Sequence, residues 1–546
     1  MHNGAMFNAY PDSLGKNLAD TVKFLTSEAV KGAFRSFYIL PTVFNTDLDG
    51  GFSVISYDLC QSLAEGADLE ALRDAGIDLT FDFILNHLSV LSPQFRDILK
   101  NGDQSPYRDF FIDWNKFWEG RGEMTPEGYI RPDPDQFNYG NLRKNGLPIL
   151  MIRLPDGREA PYWNTFYQKI VYPRVTLFDM MDLAGGRYDR AVSLADTLNR
   201  LLDEGKTPAA IEAEVSCPVA AYLEANRRYM GQMDINYQSP LVWEWYESVI
   251  KTLAGYGAAT IRLDAFSRVH KAPGRTNFVN TPETWDILTR LKEMAKKYGV
   301  EVLPEIHASY SKGYYKALNG LGCVTYDYFL PGLILDALDT GDSDYLVSWA
   351  REIVRDGLKV VNMLGCHDGI PMRDVRGLLP DDRVDAMIER LTARGCHKKI
   401  VHGVKDEIYQ IDTTYYTALG CDDDRLSLAR AIQLFMPGKP QVWYTDLLAE
   451  ASDETVFERD PSADTREVNR RRCTPEEARA CLEKPVVKKQ LELLKMRNTH
   501  PAFADDAVVT AEKPAPGKLT LTWTSGGASA SLTADLKTCA YEIRLS

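Results

Sequence analysis

Long apolar runs are missing from this chain. No stretch is apolar enough to span a bilayer, and the first residues lack the basic segment and apolar run of a secretory signal. Positive charge is also scarce, because 63 Lys and Arg residues stand against 77 Asp and Glu residues, for a net charge of −14. This balance argues against a nucleic acid or an anionic membrane as the main partner, so an anionic substrate would have to meet a local basic cluster.

Paired cysteines are the second absence. The nine cysteines are scattered, and none belongs to a CxxC pair, which is typical of a reduced, cytoplasmic protein without a cysteine metal site. The rest of the composition is that of an ordinary globular protein, with 45% hydrophobic and 26% charged residues. The 546 residues exceed one compact core of typical size, which leaves an α/β barrel with appended pieces or two to three separate domains.

One unit recurs along the chain: a helical pattern ends at a glycine and leads into an apolar strand. Examples are "DLEALRDAG" before "IDLTFDFILNH", "WEWYESVIKTLAGYG" before "AATIRLDAF", and "TPETWDILTRLKEMAKKYG" before "VEVLPEIHASY". Apolar strands that alternate with helices predict a parallel sheet covered on both faces. We therefore expect a (β/α)8 TIM barrel. A doubly wound sheet is the alternative, although no glycine-rich phosphate loop follows any strand.

Composition divides the chain into four parts. Residues 1–87 and 232–500 are predicted to form the catalytic barrel, with a loop-rich region at 370–475. Residues 88–231, rich in Pro, Gly, Trp and Tyr, are predicted to be a domain B inserted in a barrel loop. Residues 501–546 alternate and are rich in Thr and Ser, which predicts a small C-terminal antiparallel β domain.

Polar side chains gather at the ends of four predicted strands. They are Asp82 with Asn86 and His87, Arg262 with Asp264, Glu305 with His307, and His367 with Asp368. Catalytic groups in parallel sheets sit at the carboxyl ends of the strands. A single Asp or His there would be read as a loop cap or an ion pair, but four sets at matching positions favour a site.

These residue types suit the cleavage of a glycosidic bond. A nucleophilic carboxylate must stay ionised, and Arg262, which has the same strand parity as Asp264, favours that. A general acid needs a raised pKa, which the apolar segment around Glu305 is expected to supply. Two carboxylates about 5–5.5 Å apart give retention through a covalent glycosyl intermediate, and histidines such as His307 can donate hydrogen bonds to sugar hydroxyls. A metal site is the competing interpretation, although HxH and HExxH spacings are absent.

The segments "DFILNH", "TIRLDAF", "LPEIH" and "LGCHDG" resemble the four ordered signatures of the α-amylase superfamily, glycoside hydrolase family 13. The resemblance implies that Asp264 is the nucleophile, Glu305 the general acid/base and Asp368 the transition-state stabiliser. We expect no cofactor and no metal. Contacts to the glucosyl unit are implied for His87 and His367, with Arg262 orienting Asp264.

A narrower resemblance is to the sucrose phosphorylases and their relatives. It is carried by "AYPDSLGKNL", "YDYFLPGLILDAL", "YQIDTTYYTALG" and "REVNR". Such enzymes cleave sucrose with inorganic phosphate to α-glucose 1-phosphate and fructose, with retention through a glucosyl-enzyme. By this resemblance the further substrate contacts are Asp49 and Arg466 on the far hydroxyls of glucose, Phe52 and Phe166 on the sugar face, and Gln232 near the leaving group.

The chain departs from the sucrose phosphorylase pattern where phosphate and fructose are handled. Arg268 stands where a Tyr is usual, and Asp133 stands where an Arg is frequent, while Arg131 is kept. Arg373 and Arg376, in the loop after Asp368, are expected to add positive charge at the same end of the barrel, unless they pair with the acidic residues of their own loop. A guanidinium binds phosphate or carboxylate bidentately, so we expect Arg131, Arg268, Arg373 and Arg376 to serve phosphate or the acceptor.

Several functions therefore stay open. The first is phosphorolysis of sucrose, and the second is phosphorolysis of glucosylglycerate, glucosylglycerol or sucrose 6-phosphate. A retaining α-glucosidase or transglucosidase is the third, and a catalytically inactive binding module is the fourth. An insertion at about 167–230, which common sucrose phosphorylases lack, is expected to reshape the acceptor pocket or to form an oligomer contact such as that of a homodimer.

Overall fold

The computed structural model describes residues 3–137, 146–401 and 407–546. Contacts divide the chain into two compact units. The first unit holds Met1–His87, Pro132–Leu147 and Ile235–Ser546, and the second holds Leu88–Arg131 and Pro148–Asp234. The described residues 132–137 and 146–147, which lie inside the segment predicted to form an insert, group with the first unit.

Eight parallel strands form the main sheet of the first unit. In chain order they are β1 (Met6–Ala9), β2 (Ser36–Ile39), β3 (Asp78–Ile84), β4 (Ala258–Asp264), β5 (Glu301–Pro304), β6 (Thr325–Asp327), β7 (Val360–Met363) and β8 (Lys439–Trp443). Each hydrogen-bonded neighbour in the sheet is also a neighbour in the cyclic chain order, from β5 through β1 and β8 to β6. The sheet is thus nearly closed on itself, which confirms the predicted TIM barrel.

Helices alternate with the barrel strands along the chain, and the last of them follows β8. They are Leu18–Thr26, Gly66–Asp74, Pro240–Gly255, Glu283–Lys296, Tyr314–Gly320, Leu330–Thr340, Asp344–Asp356, Asp381–Ala393, Asp423–Phe435 and Pro485–Thr499. The predicted glycine stops are found where these helices end. Gly357 caps Asp344–Asp356 with φ of 61°, a left-handed conformation that favours glycine, and donates its N–H to Ile353 O and Val354 O.

The second unit combines short strands with helices. Its strands are His87–Ser89, Gly122–Met124, Ile130–Pro132, Ile149–Arg153, Glu159–Trp163, Gln168–Val171 and Arg228–Asp234, of which the first and third each have one terminal residue, His87 and Pro132, assigned to the first unit. Its helices are Pro93–Asn101, Trp114–Phe117, Tyr188–Asp203, Pro208–Val215 and Ala220–Ala225. The last three helices enclose an apolar core that includes Leu198, Ile211 and Leu223. The predicted helical insertion near 167–230 corresponds to this cluster.

A four-stranded antiparallel sheet ends the chain, as predicted. Its strands are Val508–Glu512, Lys518–Ser525, Ala528–Asp535 and Tyr541–Leu545. Arg497, near the end of the last helix, lies over the rings of both Phe503 and Trp523, at 4.5 and 4.6 Å from their centroids. Its Nε donates to Leu434 O at 3.0 Å, and its Nη2 donates to Gly438 O at 3.2 Å. This buried guanidinium therefore connects the sheet to the barrel helices.

Shorter strands decorate the barrel loops: Phe44–Thr46 pairs with Val54–Leu59, and Glu407–Asp412 pairs with Ile370–Pro371 and His397–Val401. Within the part of the chain that the structure describes, none of the helices combines the length and apolarity needed to cross a bilayer.

Replacing Arg497 with Ala is expected to lower the free energy of unfolding by about 2–4 kcal/mol, because buried carbonyl acceptors lose their donor. Thermal unfolding followed by circular dichroism measures the effect. The matched control is Arg544→Ala, which removes an exposed arginine paired with Glu542 and should leave the melting temperature unchanged. Equal shifts for the two variants would contradict this role of Arg497.

Candidate active site

The strand register brings the predicted chemistry to one end of the barrel. Arg262 on β4 pairs with Asp82 on β3 and with Leu303 on β5. Paired residues of parallel strands point the same way, so the side chains of Asp82, Arg262 and Asp264 share one side of the sheet. The backbone N–H of Glu305 donates to Leu263 O at 3.0 Å, which extends the β4–β5 pairing by one residue.

Arg262 is the centre of this arrangement. Its Nη1 contacts a carboxylate oxygen of Asp82 and lies 3.0 Å from Asp264 Oδ1, and its Nη2 lies 2.9 Å from Glu305 Oε1. Tyr38 donates its hydroxyl to the second oxygen of Asp82 at 2.8 Å. Only 3% of the Arg262 side chain is exposed. A cation stripped of water is stable only with close acidic partners, and these three carboxyl groups surround its guanidinium.

The surroundings of Asp264 and Glu305 shift their pKa values in directions opposite to the predicted ones. Burial and the neighbouring Glu305 raise the pKa of Asp264 well above its usual range. Burial also opposes the ionisation of Glu305, but Arg262 and His307 outweigh it and lower the pKa of Glu305 to about 2. The N–H of Ala265 adds a hydrogen bond to Glu305 Oε2 at 2.7 Å. The pKa of Glu305 is thus shifted down rather than up, because Arg262 and His307 together outweigh the effect of burial.

Asp368 lies after β7 among donors. Its carboxylate is 3.2 Å from Arg466 Nη1, 3.5 Å from Arg470 Nη2 and 3.3 Å from His367 Nε2. Burial would raise the pKa of Asp368, but His367 and the two guanidiniums lower it well below its usual range. Arg470 also donates its Nε to His367 O at 2.9 Å, so it fixes the loop that carries Asp368.

Asp49 and Arg466, predicted from separate loops, meet. Arg466 Nη2 lies 2.5 Å from Asp49 Oδ1 while Nη1 contacts Asp368, so one guanidinium joins two carboxylates. Asp49 adopts a left-handed backbone conformation with φ of 55° at the start of the turn Asp49–Gly51. Asp464 holds the Arg466 Nε at 3.0 Å. The left-handed turn at Asp49 and the contact from Asp464 fix the Asp49–Arg466 bridge in place.

Aromatic and imidazole rings complete the group. The Phe52 ring stacks on His367 with centroids 4.9 Å apart, and the Arg262 guanidinium lies 5.6 Å from the Phe52 centroid. His87 Nε2 lies 2.8 Å from Phe52 O. His307 lies between Glu305 and Asp374. All of these residues belong to the first unit, and the fold brings them together.

The remaining predicted residues are placed less directly. Phe166, Gln232 and Arg131 belong to the second unit, so their roles stay predictions. Arg268 ends the short 3-10 turn Phe266–Arg268 after β4, and its guanidinium lies 5.7 Å from the Phe278 centroid.

The two arginines of the loop after Asp368 both have acidic partners. Arg376 lies 3.1 Å from Asp381 and 2.7 Å from Asp385, and Arg373 lies 3.4 Å from Glu407. The charge of Arg376 is thus matched by acids of the following helix, Asp381–Ala393, so we do not propose it as an acceptor contact.

Four residues that contact this group were missed: Tyr38, Asp374, Arg470, and Tyr328, whose ring stacks on His307. Arg470 lies in the basic run "REVNRRR" and Asp374 in "HDGIPMRD", but nothing in those segments marks a partner. Only the pairing of distant loops reveals them. In the described ranges, no group of three His, Cys, Asp or Glu side chains is placed to hold a metal ion.

Comparisons with known proteins agree with this geometry. No family model matches the chain. It is 43% identical over 550 residues to the sucrose 6(F)-phosphate phosphorylase of Ilumatobacter coccineus, covering 99% of this chain and 95% of that protein. It is 32% identical to the glucosylglycerol phosphorylase of Marinobacter adhaerens, covering 92% and 88%.

A solved structure is similar over the whole chain. The crystal structure of sucrose 6F-phosphate phosphorylase from Thermoanaerobacter thermosaccharolyticum matches with a TM-score of 0.82 and 28% identity, covering 100% of this chain and 96% of that one. Identity of 43% over nearly full length, together with the barrel and its strand-end carboxylates, shows that the chain belongs to the sucrose phosphorylase-like family of enzymes within the α-amylase superfamily, glycoside hydrolase family 13.

Proposed function

We propose that the protein is a retaining α-glucoside phosphorylase. It transfers the glucosyl unit of a sucrose-type donor to inorganic phosphate through a covalent glucosyl-enzyme, and it releases α-glucose 1-phosphate. The observation that carries the proposal is that the single guanidinium of Arg262 contacts both Asp264 and Glu305. Asp368, in the loop after β7, is close enough to affect the pKa of Asp264. Retaining glycosidases use a closely placed carboxyl pair of this kind.

In the first half of the reaction, Asp264 attacks the anomeric carbon and Glu305 protonates the departing oxygen. The proton must then lie on Glu305 and the negative charge on Asp264. Arg262 contacts both groups and stabilises whichever is ionised, so the shared proton can cross from Asp264 to Glu305 when the donor binds. The bond from Asp264 to the sugar forms as the glycosidic bond breaks.

In the second half, a phosphate oxygen attacks the same carbon from the face that the leaving group vacated. Glu305, now a carboxylate, accepts the phosphate proton, and Asp264 departs as a carboxylate. Asp368 stays ionised throughout, because Arg466, Arg470 and His367 surround it. Its charge stabilises the oxocarbenium-like transition state of each half.

The Asp49–Arg466 bridge sets the size of the donor. Bidentate hydrogen bonding to vicinal hydroxyls suits such a pair, and a bridge across the end of the site leaves room for one sugar unit. Phe52, His87 and His367 supply the sugar face and further hydroxyl contacts. Phe166 and Gln232 are assigned to the sugar face and the leaving group by resemblance alone.

We assign the leaving group as fructose 6-phosphate, released from sucrose 6-phosphate. The relative from Ilumatobacter coccineus, 43% identical, is named for that substrate, and Arg268 stands four residues after Asp264 where a phosphate ester can be bound. Sucrose, expected first from the sequence, is the second candidate. The sucrose phosphorylase of Streptococcus mutans favours it, at 29% identity over 94% of this chain.

Arg131 and Arg373 are the further candidates for anion binding. Phosphorolysis is preferred over hydrolysis because an attacking phosphate needs cationic donors and water does not. Nine unpaired cysteine thiols support a reducing compartment, and we propose the cytoplasm. A homodimer stays a prediction.

The variant Asp264→Asn is expected to lower phosphorolysis by about 10⁴-fold or more, because no covalent intermediate can form. Its melting temperature at pH 7 should equal or exceed that of the wild type. The raised pKa of Asp264 in the folded state means that ionisation costs stability as pH rises, and the neutral amide removes that cost. Release of α-glucose 1-phosphate and thermal unfolding measure the two effects. Near-normal activity in this variant would disprove the mechanism.

Arg268→Ala is expected to lower kcat/KM for sucrose 6-phosphate by about 10- to 100-fold, the loss of one charge-assisted hydrogen bond, and to change that for sucrose much less. The matched control is Arg275→Ala, an arginine of the same loop that pairs with Glu283. Equal losses for both donors would remove Arg268 from recognition of the leaving group and place it at the attacking phosphate.

A further inference from the structure

His307 lies between two carboxylates that belong to different loops. Its Nε2 is 3.3 Å from Glu305 Oε1, and its Nδ1 is 3.4 Å from Asp374 Oδ1. The half-buried ring also stacks on Tyr328, with centroids 3.8 Å apart and an interplanar angle of 26°. Three sides of the imidazole are therefore fixed by neighbours, and its orientation toward Glu305 is set.

Asp374 is itself held firmly. Only 3% of its side chain is exposed, and the N–H of Ala308 donates to its Oδ1 at 3.1 Å. The N–H of Tyr310 donates to its backbone oxygen at 2.9 Å. Asp374 thus binds the chain just after His307 as well as the ring, and it joins the loop after β7 to the loop after β5.

The contacts determine the protonation of His307. A ring that faces a carboxylate at each nitrogen satisfies both only when both nitrogens carry protons. Burial would lower the pKa of His307, but Asp374 and Glu305 raise it to about 10. The other polar or charged groups around the pair are Arg262 from β4, Tyr328 after β6, and Cys366 and Asp368 after β7. Arg262 acts on Glu305, so Asp374 and Glu305 are what keep His307 charged.

We propose that Asp374 is a positioning residue for the transfer reaction: it holds His307 as a two-proton donor directed at Glu305. This inference rests on the proposed function, in which Glu305 is the acid/base. Asp374 contacts neither the donor nor the reacting atoms in the proposal. It acts through His307, to which the sequence assigned only a sugar contact.

The arrangement serves the step at which Glu305 has lost its proton. When Glu305 protonates the leaving oxygen, a carboxylate forms in a nearly dry site, and the adjacent His307 N–H stabilises it. His307 keeps both protons throughout, so the only protons transferred are the one from Glu305 to the leaving oxygen and the one from phosphate back to Glu305. Asp374 prevents His307 from becoming neutral and turning into a competing acceptor.

The variant Asp374→Asn keeps the shape of the side chain and removes its charge. His307 then loses its proton at lower pH, and the pKa of Glu305 rises because its cationic neighbour is gone. The alkaline limb of kcat/KM, which reports the acid form of Glu305, is expected to move up by about one pH unit. Asp374→Glu should restore part of the wild-type profile. The control is Asp382→Asn, which changes an exposed residue in the helix that follows the Asp374 loop and should leave the pH profile unchanged.

A second donor separates this inference from the proposed function. α-Glucosyl fluoride needs no protonation of its leaving group, so Glu305→Gln should retain reaction with the fluoride and lose it with sucrose 6-phosphate or sucrose. Equal behaviour with fluoride and glycoside would overturn the assignment of Glu305, whatever Asp374 does. Retained discrimination with an unshifted Asp374→Asn profile would overturn the role of Asp374 alone.

The wild-type protein offers a test that needs no folded variant at Asp374. Imidazole ¹⁵N shifts, with His307→Asn for assignment, should show His307 protonated through pH 8. A neutral His307 at pH 7.5 would also overturn the proposal.

Discussion

The site depends on one desolvated cation. Arg262 is almost fully buried, and it is stable there only because Asp82, Asp264 and Glu305 each contact its guanidinium. The same contacts bring Asp264 and Glu305 to one guanidinium, where each carboxyl group affects the pKa of the other. The barrel supplies the geometry, since the register of β3, β4 and β5 sets the three acids around a single fork. The contacts that stabilise buried Arg262 in the fold are therefore the same contacts that position the acidic residues of the site.

A second layer of charge surrounds that centre. Arg466 and Arg470 keep Asp368 ionised, and Arg466 also joins it to Asp49. His307, which contacts Asp374, lies next to Glu305. Each carboxylate thus has its own cationic neighbour, which gives three similar groups three different tendencies to hold a proton. Arg268 ends the turn after Asp264, where we propose that it recognises the leaving group.

The fold could be read from the sequence because each barrel unit is locally marked. Apolar strands such as the one before Glu305 and glycine stops such as Gly357 are short-range signals, and the polar residues after the strands follow from them. The proton order of Asp264 and Glu305 could not be read, because it depends on Arg262 reaching the neighbouring strand. The same is true of Asp374 with His307, a contact between two loops that no local pattern specifies. The pairing of Arg376 with acidic residues of its own loop, in contrast, was one of the two alternatives that the sequence left open.

The most direct test of the account is the product formed by the wild-type protein from sucrose 6-phosphate and inorganic phosphate, followed by ¹H and ³¹P NMR from the first turnovers. The account predicts α-glucose 1-phosphate and fructose 6-phosphate, with product formation that requires phosphate. The β anomer of glucose 1-phosphate would contradict the retaining mechanism. Free glucose, formed at the same rate with and without phosphate, would contradict phosphorolysis.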